Sequence, residues 1–256
     1  MSADARDLLA VAGEAAEASA AVLLERFRAA GGPRGVVSKS TPTDLVSDAD
    51  LTAERAIRDV LHRRRPDDSI LGEEGDDVTG TTGLRWIVDP LDGTVNYLFG
   101  LPQWCVSVAC EGRAGVILDP LRAERFEVVA GEAATLNGER LSGSARDTLS
   151  RALVATGFNY DAGVRARQAE VAARLIPRIA DIRRMGSAAL DLAWTAAGRY
   201  DAYYERGLSA WDVAAGTMLC AAAGLEVREL AAGDGLPPGL LIAPAALADA
   251  LFELVG

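Results

Sequence analysis

Histidine and lysine are almost missing from this chain: its 256 residues hold one of each, His62 and Lys39. A lone histidine excludes a histidine-built zinc centre. It also leaves no base for a Ser-His-Asp hydrolase, because His62 sits in Leu-His-Arg-Arg-Arg at the end of an expected helix. The three cysteines, Cys105, Cys110 and Cys220, are odd in number and lack metal-ligand spacing. They read as small buried hydrophobes of a reducing cytoplasm. No apolar run reaches the length of a membrane span, and the amino-terminal stretch, with Asp4, Asp7 and Glu14 among alanines, lacks the pattern of a signal peptide. Basic residues are outnumbered 26 to 37, a net charge of −11. That balance argues against a nucleic-acid partner, whose phosphate backbone needs a basic face. It suits carboxylates gathered for cations, and equally plain solubility. With arginine so preferred, the surviving Lys39 suits a task for a compact point charge.

What the chain does have is hydrophobic mass, half of its residues, enough for one large core or two closely packed halves. The patterning predicts an alanine-rich helix over 3–29, ended by Gly31-Gly32-Pro33. A loop or a strand pair bent at Pro42 follows over 36–46, then a helix capped by Ser47 and running to about Arg64. Strands are expected at 69–71, 84–88, 104–110, 115–118 and 125–129, with a turn at Asn137-Gly138. From about Ser150 strands and helices alternate: strand 152–156, helix 163–179, a short strand, helix 187–197, strand 201–205, helix 211–223 and closing strand and helix elements. No linker separates free domains, so the expectation is an α/β (α+β) fold of two closely packed layered halves, 1–149 and 150–256, in one compact unit.

The most informative stretch is Trp86-Ile-Val-Asp89-Pro-Leu-Asp92-Gly93-Thr94. Two carboxylates so close repel in a partly dry pocket, and hard divalent cations suit them. A Gly-Thr pair opening a helical turn presents N–H groups to an anion such as phosphate. The same residues are also good surface-turn chemistry, so partners elsewhere must decide. Candidates are Glu73 in Gly72-Glu73-Glu74-Gly75, Asp212 at the start of Trp211-Asp212-Val-Ala-Ala-Gly216, and the run from Lys39 through Asp44 and Asp48 to Asp50.

Together these segments resemble the inositol monophosphatase family of magnesium-dependent, lithium-sensitive phosphatases. The first family signature is similar to Trp86 through Asn96-Tyr97, and the second to Trp211 through Gly216. Gly72-Glu73-Glu74, Asn137-Gly138, Arg184-Met185-Gly186-Ser187-Ala188 and Asp201-Ala-Tyr-Tyr-Glu205 fall between or around them in the family's order. Tyr97 departs from a usual Phe, and Ala133 and Leu225 from common glycines.

The resemblance implies a layered αβαβα sandwich of sugar-phosphatase type, a homodimer, and hydrolysis of a small phosphate monoester by a metal-activated water, with two or three Mg²⁺ ions. Glu73, Asp89, Asp92, Asp212 and the carbonyl of Leu91 would be ligands. Glu73 and Thr94, with Asp50 behind them, would act in catalysis. Gly93 and Thr94 would hold phosphate, while Gly186, Ser187, Ala188 and Glu205 would meet the substrate alcohol. Lys39 would lie on a loop near the metals. Inositol 1-phosphate or a similar polyol phosphate is the expected substrate. Histidinol phosphate and fructose 1,6-bisphosphate are alternatives, and an antitermination-type regulatory role is the non-enzyme alternative.

Overall fold

The computed structural model describes residues 5–28, 36–38 and 45–256. Lys39, Pro42 and Asp44 lie outside the described residues.

Helix α1 (Ala5–Arg28) buries Leu8, Val11, Ala12, Ala15, Ala16, Ser19, Ala20 and Leu23 along one stripe. Spacings of three and four put these residues on one face. Their small size lets helix α2 (Asp48–Arg64) approach closely and pack on it. Ser47 caps α2: its hydroxyl accepts the Ala49 N–H, while its own N–H donates to Asp50 at 2.9 Å. His62 sits exposed in the last turn of α2. Between α1 and α2, β1 (Val37–Ser38) pairs antiparallel with β2 (Leu45–Val46), the strand pair of the two alternatives expected there.

A seven-stranded sheet follows, in the order β3 (Ser69–Gly72), β4 (Arg85–Asp92), β5 (Cys105–Cys110), β6 (Ala114–Asp119), β7 (Glu124–Val129), β8 (Thr135–Leu136) and β9 (Glu139–Arg140). The β8–β9 turn places Asn137 and Gly138 at φ 50° and 85°, the left-handed pair that a tight hairpin demands. A short helix α3 (Thr94–Leu98) leaves β4.

The second sheet holds β10 (Leu153–Thr156), β11 (Asp181–Arg183), β12 (Ala202–Arg206), β13 (Glu226–Leu230) and β14 (Gly239–Ala243), ordered β11-β10-β12-β14-β13. Helices α4 (Ala162–Leu175) and α7 (Ala245–Val255) cover its outer face, and α5 (Ala188–Ala196) and α6 (Ala210–Ala222) lie between the sheets. Three apolar clusters fill the spaces: α1 and α2 against the first sheet, α5 and α6 between the sheets, and α4 and α7 on the second sheet. That is the αβαβα sandwich.

One element departs from the sequence expectation in a way that matters. The strand expected to end at Val88 runs on to Asp92, through Pro90. Proline cannot donate to a ladder, and the pairing with β5 breaks between Asp89 and Asp92 in a β-bulge. In a regular strand residues three apart point to opposite faces. The bulge re-phases the chain, so Asp89 and Asp92 can serve one site.

The loop ahead of β4 is tied down by Asp68, which is 2% exposed. It accepts from Arg65 Nε at 2.8 Å, Thr82 Oγ1 at 2.5 Å and Trp86 Nε1 at 2.9 Å. Burial alone would raise its pKa, but these three hydrogen bonds outweigh burial and hold it below the ordinary value. Asp68→Ala is therefore expected to cost about 2–4 kcal/mol, a fall in Tm of roughly 5–12 °C by calorimetry. Because the folded pKa is lowered, this contribution is full above about pH 4 and disappears as pH falls through the lowered value. A wild-type-to-variant gap that stayed constant into acid would contradict it.

Candidate metal and phosphate site

The bulge at the end of β4, the turn after β3 and the first turn of α6 meet over one cavity of about 410 Å³. Glu73, Asp89, Leu91, Asp92, Gly93, Thr94 and Asp212 line it, faced by Asn159, Tyr160, Asp161 and Trp211. Asp89, Asp92 and Asp212 each bring a carboxylate oxygen within 4.8 Å of the other two. Asp89 and Asp92 are buried and Asp212 is half-buried. Burial, then the charges of Glu73, Asp92 and Asp212, push the Asp89 carboxyl well above its usual range. Burial and the Asp92 charge do the same to Asp212.

The protein spends structure on keeping Asp92 an anion. Ser187 Oγ donates to Asp92 Oδ2 at 2.6 Å and the Ala189 N–H donates at 2.7 Å. The N–H groups of Ala188 and Leu190 also pull its pKa down against burial, which still leaves it raised. The carboxylate thus sits on the positive end of α5, where dipole and unpaired N–H groups favour an anion. Asp212 occupies the same kind of place on α6 and accepts the Ser209 N–H at 2.6 Å. Both inter-sheet helices therefore begin at the acid cluster.

Thr94 heads α3 behind Gly93, whose φ of 100° and contacts require glycine: a Cβ there would lie 2.9 Å from the Gln103 carbonyl oxygen. The Thr94 hydroxyl is within donor range of Asp50 Oδ1 at 2.9 Å and the Leu91 carbonyl at 3.1 Å. Asp50, 1% exposed, also receives the Ser47 hydroxyl at 2.6 Å. It lies behind Thr94 and outside the cavity lining.

A smaller cavity of about 120 Å³ shares Asp92, Gly93 and Asp212 with the first and continues to Gly186, Ser187, Ala188 and Glu205. Burial raises the Glu205 pKa to about 7, against the Tyr203 hydroxyl at 2.7 Å and the charge of Arg184, which lower it. Gly157 makes room for this acid, since a Cβ there would lie 2.0 Å from a Glu205 oxygen.

Of the residues singled out in the sequence, Glu73, Asp89, Leu91, Asp92, Gly93, Thr94 and Asp212 share one cavity, Gly186, Ser187, Ala188 and Glu205 share the adjoining one, and Asp50 buttresses Thr94. Lys39 lies outside the described residues. The Ser187 side chain is committed to Asp92.

Sequence reasoning passed over Asn96, although it belongs to the quoted motif. Its amide nitrogen reaches the carbonyls of Gln103 at 2.8 Å and Met185 at 2.8 Å, tying the first half to the start of α5. It also passed over Asp191, a buried acid in an apolar helix whose carboxyl is raised by burial and by Glu205 and Asp92. An acid in the middle of Ala-Ala-Leu-Asp-Leu-Ala-Trp was the available signal.

The family model of the inositol monophosphatase family matches residues 4–255. Inositol-1-monophosphatase SuhB of Mycobacterium tuberculosis is 45% identical over 213 residues, 78% of this chain and 73% of that protein. Nus factor SuhB of Pseudomonas aeruginosa is 42% identical over 202 residues, 73% of each. Among solved structures, the extragenic suppressor protein suhB of Bartonella henselae superposes with a TM-score of 0.89 at 32% identity, covering 97% of this chain and 98% of that one. With the signature acids gathered at one cavity and the family pattern running nearly end to end, the chain belongs to the inositol monophosphatase family, a family of phosphoric monoester hydrolases.

Proposed function

We propose that the protein is a Mg²⁺-dependent phosphomonoesterase acting on inositol 1-phosphate or a similar small polyol phosphate. The observation that carries this reading is the convergence of Asp89, Asp92 and Asp212 within 4.8 Å. An all-oxygen donor set of this kind, with a backbone carbonyl at Leu91 and a further carboxylate at Glu73, fits hard divalent cations. These five residues would hold two or three Mg²⁺ ions. Bound there, the ions would supply neutralising charge and Lewis acidity for an in-line displacement at phosphorus.

The remaining chemistry belongs to the chain. With its proton directed to Asp50, the Thr94 hydroxyl offers a lone pair toward the cavity and can orient an attacking water. Glu73 supplies a second acceptor for that water. The Gly93 and Thr94 N–H groups receive phosphate oxygens at the start of the turn. Glu205, beside the smaller cavity, accepts a hydroxyl from the substrate alcohol, which favours a polyol over a substrate carrying a second phosphate. We read the chain as one compact catalytic unit, with 1–149 supplying most ligands and 150–256 supplying Asp212 and the alcohol contacts, and as a homodimer. A regulatory partnership is the second reading, because relatives named Nus factor SuhB match about as well as those named inositol-1-monophosphatase.

Three outcomes are expected. Phosphate release from inositol 1-phosphate requires Mg²⁺, is inhibited by lithium, and falls at least about 1,000-fold in kcat/KM in Asp212→Asn. No release from any member of a phosphate-ester panel would favour the regulatory reading instead. Glu205→Gln raises KM at least about tenfold on the polyol ester while changing hydrolysis of an aryl phosphate far less; equal losses on both would remove Glu205 from alcohol recognition. Finally, in EDTA the Asp89→Asn variant, relieved of like-charge repulsion, melts about 2–4 °C above wild type. Added Mg²⁺ then raises the wild-type Tm but leaves that of the variant nearly unchanged.

A further inference from the structure

Helix α2 carries two buried acids one turn apart, Asp50 and Glu54, exposed by 1% and 2%. An i, i+4 pair lies on one helix face, and the first of the two is already accounted for by Thr94. Glu54 lies outside the lining of the cavity that holds Asp89, Asp92 and Asp212. It lies under the turn Gly72-Glu73-Glu74-Gly75, and its Oε2 accepts the Glu74 N–H at 2.7 Å. Its Oε1 accepts Arg58 Nε at 2.7 Å, again one turn along α2. Arg58 in turn donates from Nη1 to the Asp76 carbonyl at 2.9 Å, beyond the far end of the turn. The turn rests directly on this pair. A Cβ on Gly72 would lie 2.4 Å from Glu54 Oε1, and one on Gly75 2.7 Å from the same atom and 2.9 Å from Arg58 Nε. Both glycines flanking the turn are therefore pressed against the ion pair, with Glu73 held between them over the metal cavity.

A buried ion pair is a costly way to gain stability, since an apolar pair of similar volume often does as well. What it adds is direction: charge-assisted hydrogen bonds hold a backbone segment in a defined geometry. Arg58 keeps this position even though its buried Nη2 has no hydrogen-bond partner among the described residues, a loss that packing alone does not explain. We propose that Glu54 and Arg58 are positioning residues that set the height of Glu73 over the carboxylate cluster, and with it the affinity of the site for divalent cations. One helix then aligns both sides of the site, Thr94 through Asp50 and Glu73 through Glu54. The proposal rests on the metal-dependent reading above, and its test separates the two.

The experiment follows Mn²⁺ binding to the full chain from the electron paramagnetic resonance signal of the free ion, alongside Mg²⁺-dependent phosphate release and thermal unfolding. Glu54→Ala and Arg58→Ala are expected to weaken the tightest Mn²⁺ site at least about tenfold and to raise the Mg²⁺ requirement for half-maximal rate by a similar factor. KM for the ester at saturating Mg²⁺ should move less than about threefold, and Arg58→Lys, which keeps a donor to Glu54, should lose less than about threefold in Mn²⁺ affinity. Asp68→Ala, which loosens the fold away from the turn, should leave Mn²⁺ affinity unchanged. Wild-type Mn²⁺ affinity in a folded Glu54→Ala or Arg58→Ala protein would overturn the proposal, as would an equal loss in Asp68→Ala. If Glu54→Ala does not fold, Glu54→Gln decides: a loss of about three- to tenfold supports the strut and no loss overturns it. A wild-type protein that binds Mn²⁺ but releases no phosphate would sink the phosphatase reading and leave this proposal standing; one that binds no Mn²⁺ would sink both.

Discussion

Everything in this structure answers to the repulsion among Asp89, Asp92 and Asp212. Unit charges about 4 Å apart cost roughly 4 kcal/mol per pair at a surface-like effective dielectric, a large share of the 5–15 kcal/mol by which a domain is stable. A fold that places three carboxylates within 4.8 Å must compensate them locally. Part of the compensation is built from backbone. Helices α5 and α6 both start at the cluster, so Asp92 receives N–H groups from one and Asp212 completes the first turn of the other. All three carboxyls stay raised, first through burial and, at Asp89 and Asp212, through the neighbouring carboxylates; in the proposed reading, bound cations would complete the balance.

The layered architecture follows from that requirement. With α5 and α6 lying between the sheets, both helix N-termini reach one strand end, and the first sheet brings that strand end to the same level. The bulge at Pro90 does this for Asp89 and Asp92. Asn96 then reaches across to the Met185 carbonyl, and Ser187 reaches back to Asp92, so the second half is registered on the first through polar contacts at the site. From the other side α1 supports the same peptide, with Ser19 donating to the Pro90 carbonyl at 3.1 Å and the Tyr97 hydroxyl donating to the Leu23 carbonyl at 2.8 Å. Thr94, Asp50 and Glu54 link this buttress to the reaction face through α2.

Much of this was legible in the amino-acid order, and the parts that were not share a physical reason. Element order could be read because Gly, Pro and Ser punctuate it: Ser47 caps α2, Asn137-Gly138 turns the hairpin, and Gly224 follows α6. The acids could be read because Asp89-Pro-Leu-Asp92, Gly72-Glu73-Glu74 and Trp211-Asp212 together resemble a family pattern, where local turn chemistry alone left Asp89-Pro-Leu-Asp92 undecided. The bulge was missed because it exists only relative to β5, whose register is a pairing property. The assignment of Ser187 to Asp92 spans 95 positions, beyond any local pattern. Glu54 could be read only as one of the acids in the first turns of α2. Among the charges of Thr-Ala-Glu-Arg-Ala-Ile-Arg an acid reads as a solvated helix face, and only burial distinguishes it from one.

The central claim is that the carboxylate cluster is a cation site created by opposing two sheets and two helix ends. Its most direct test is an anomalous difference map from crystals of the full chain soaked in Mn²⁺. The account predicts peaks bounded by Asp89, Asp92 and Asp212, one of them within coordination distance of Glu73 and the Leu91 carbonyl. Mn²⁺ bound elsewhere, with no peak among those three acids, would contradict it.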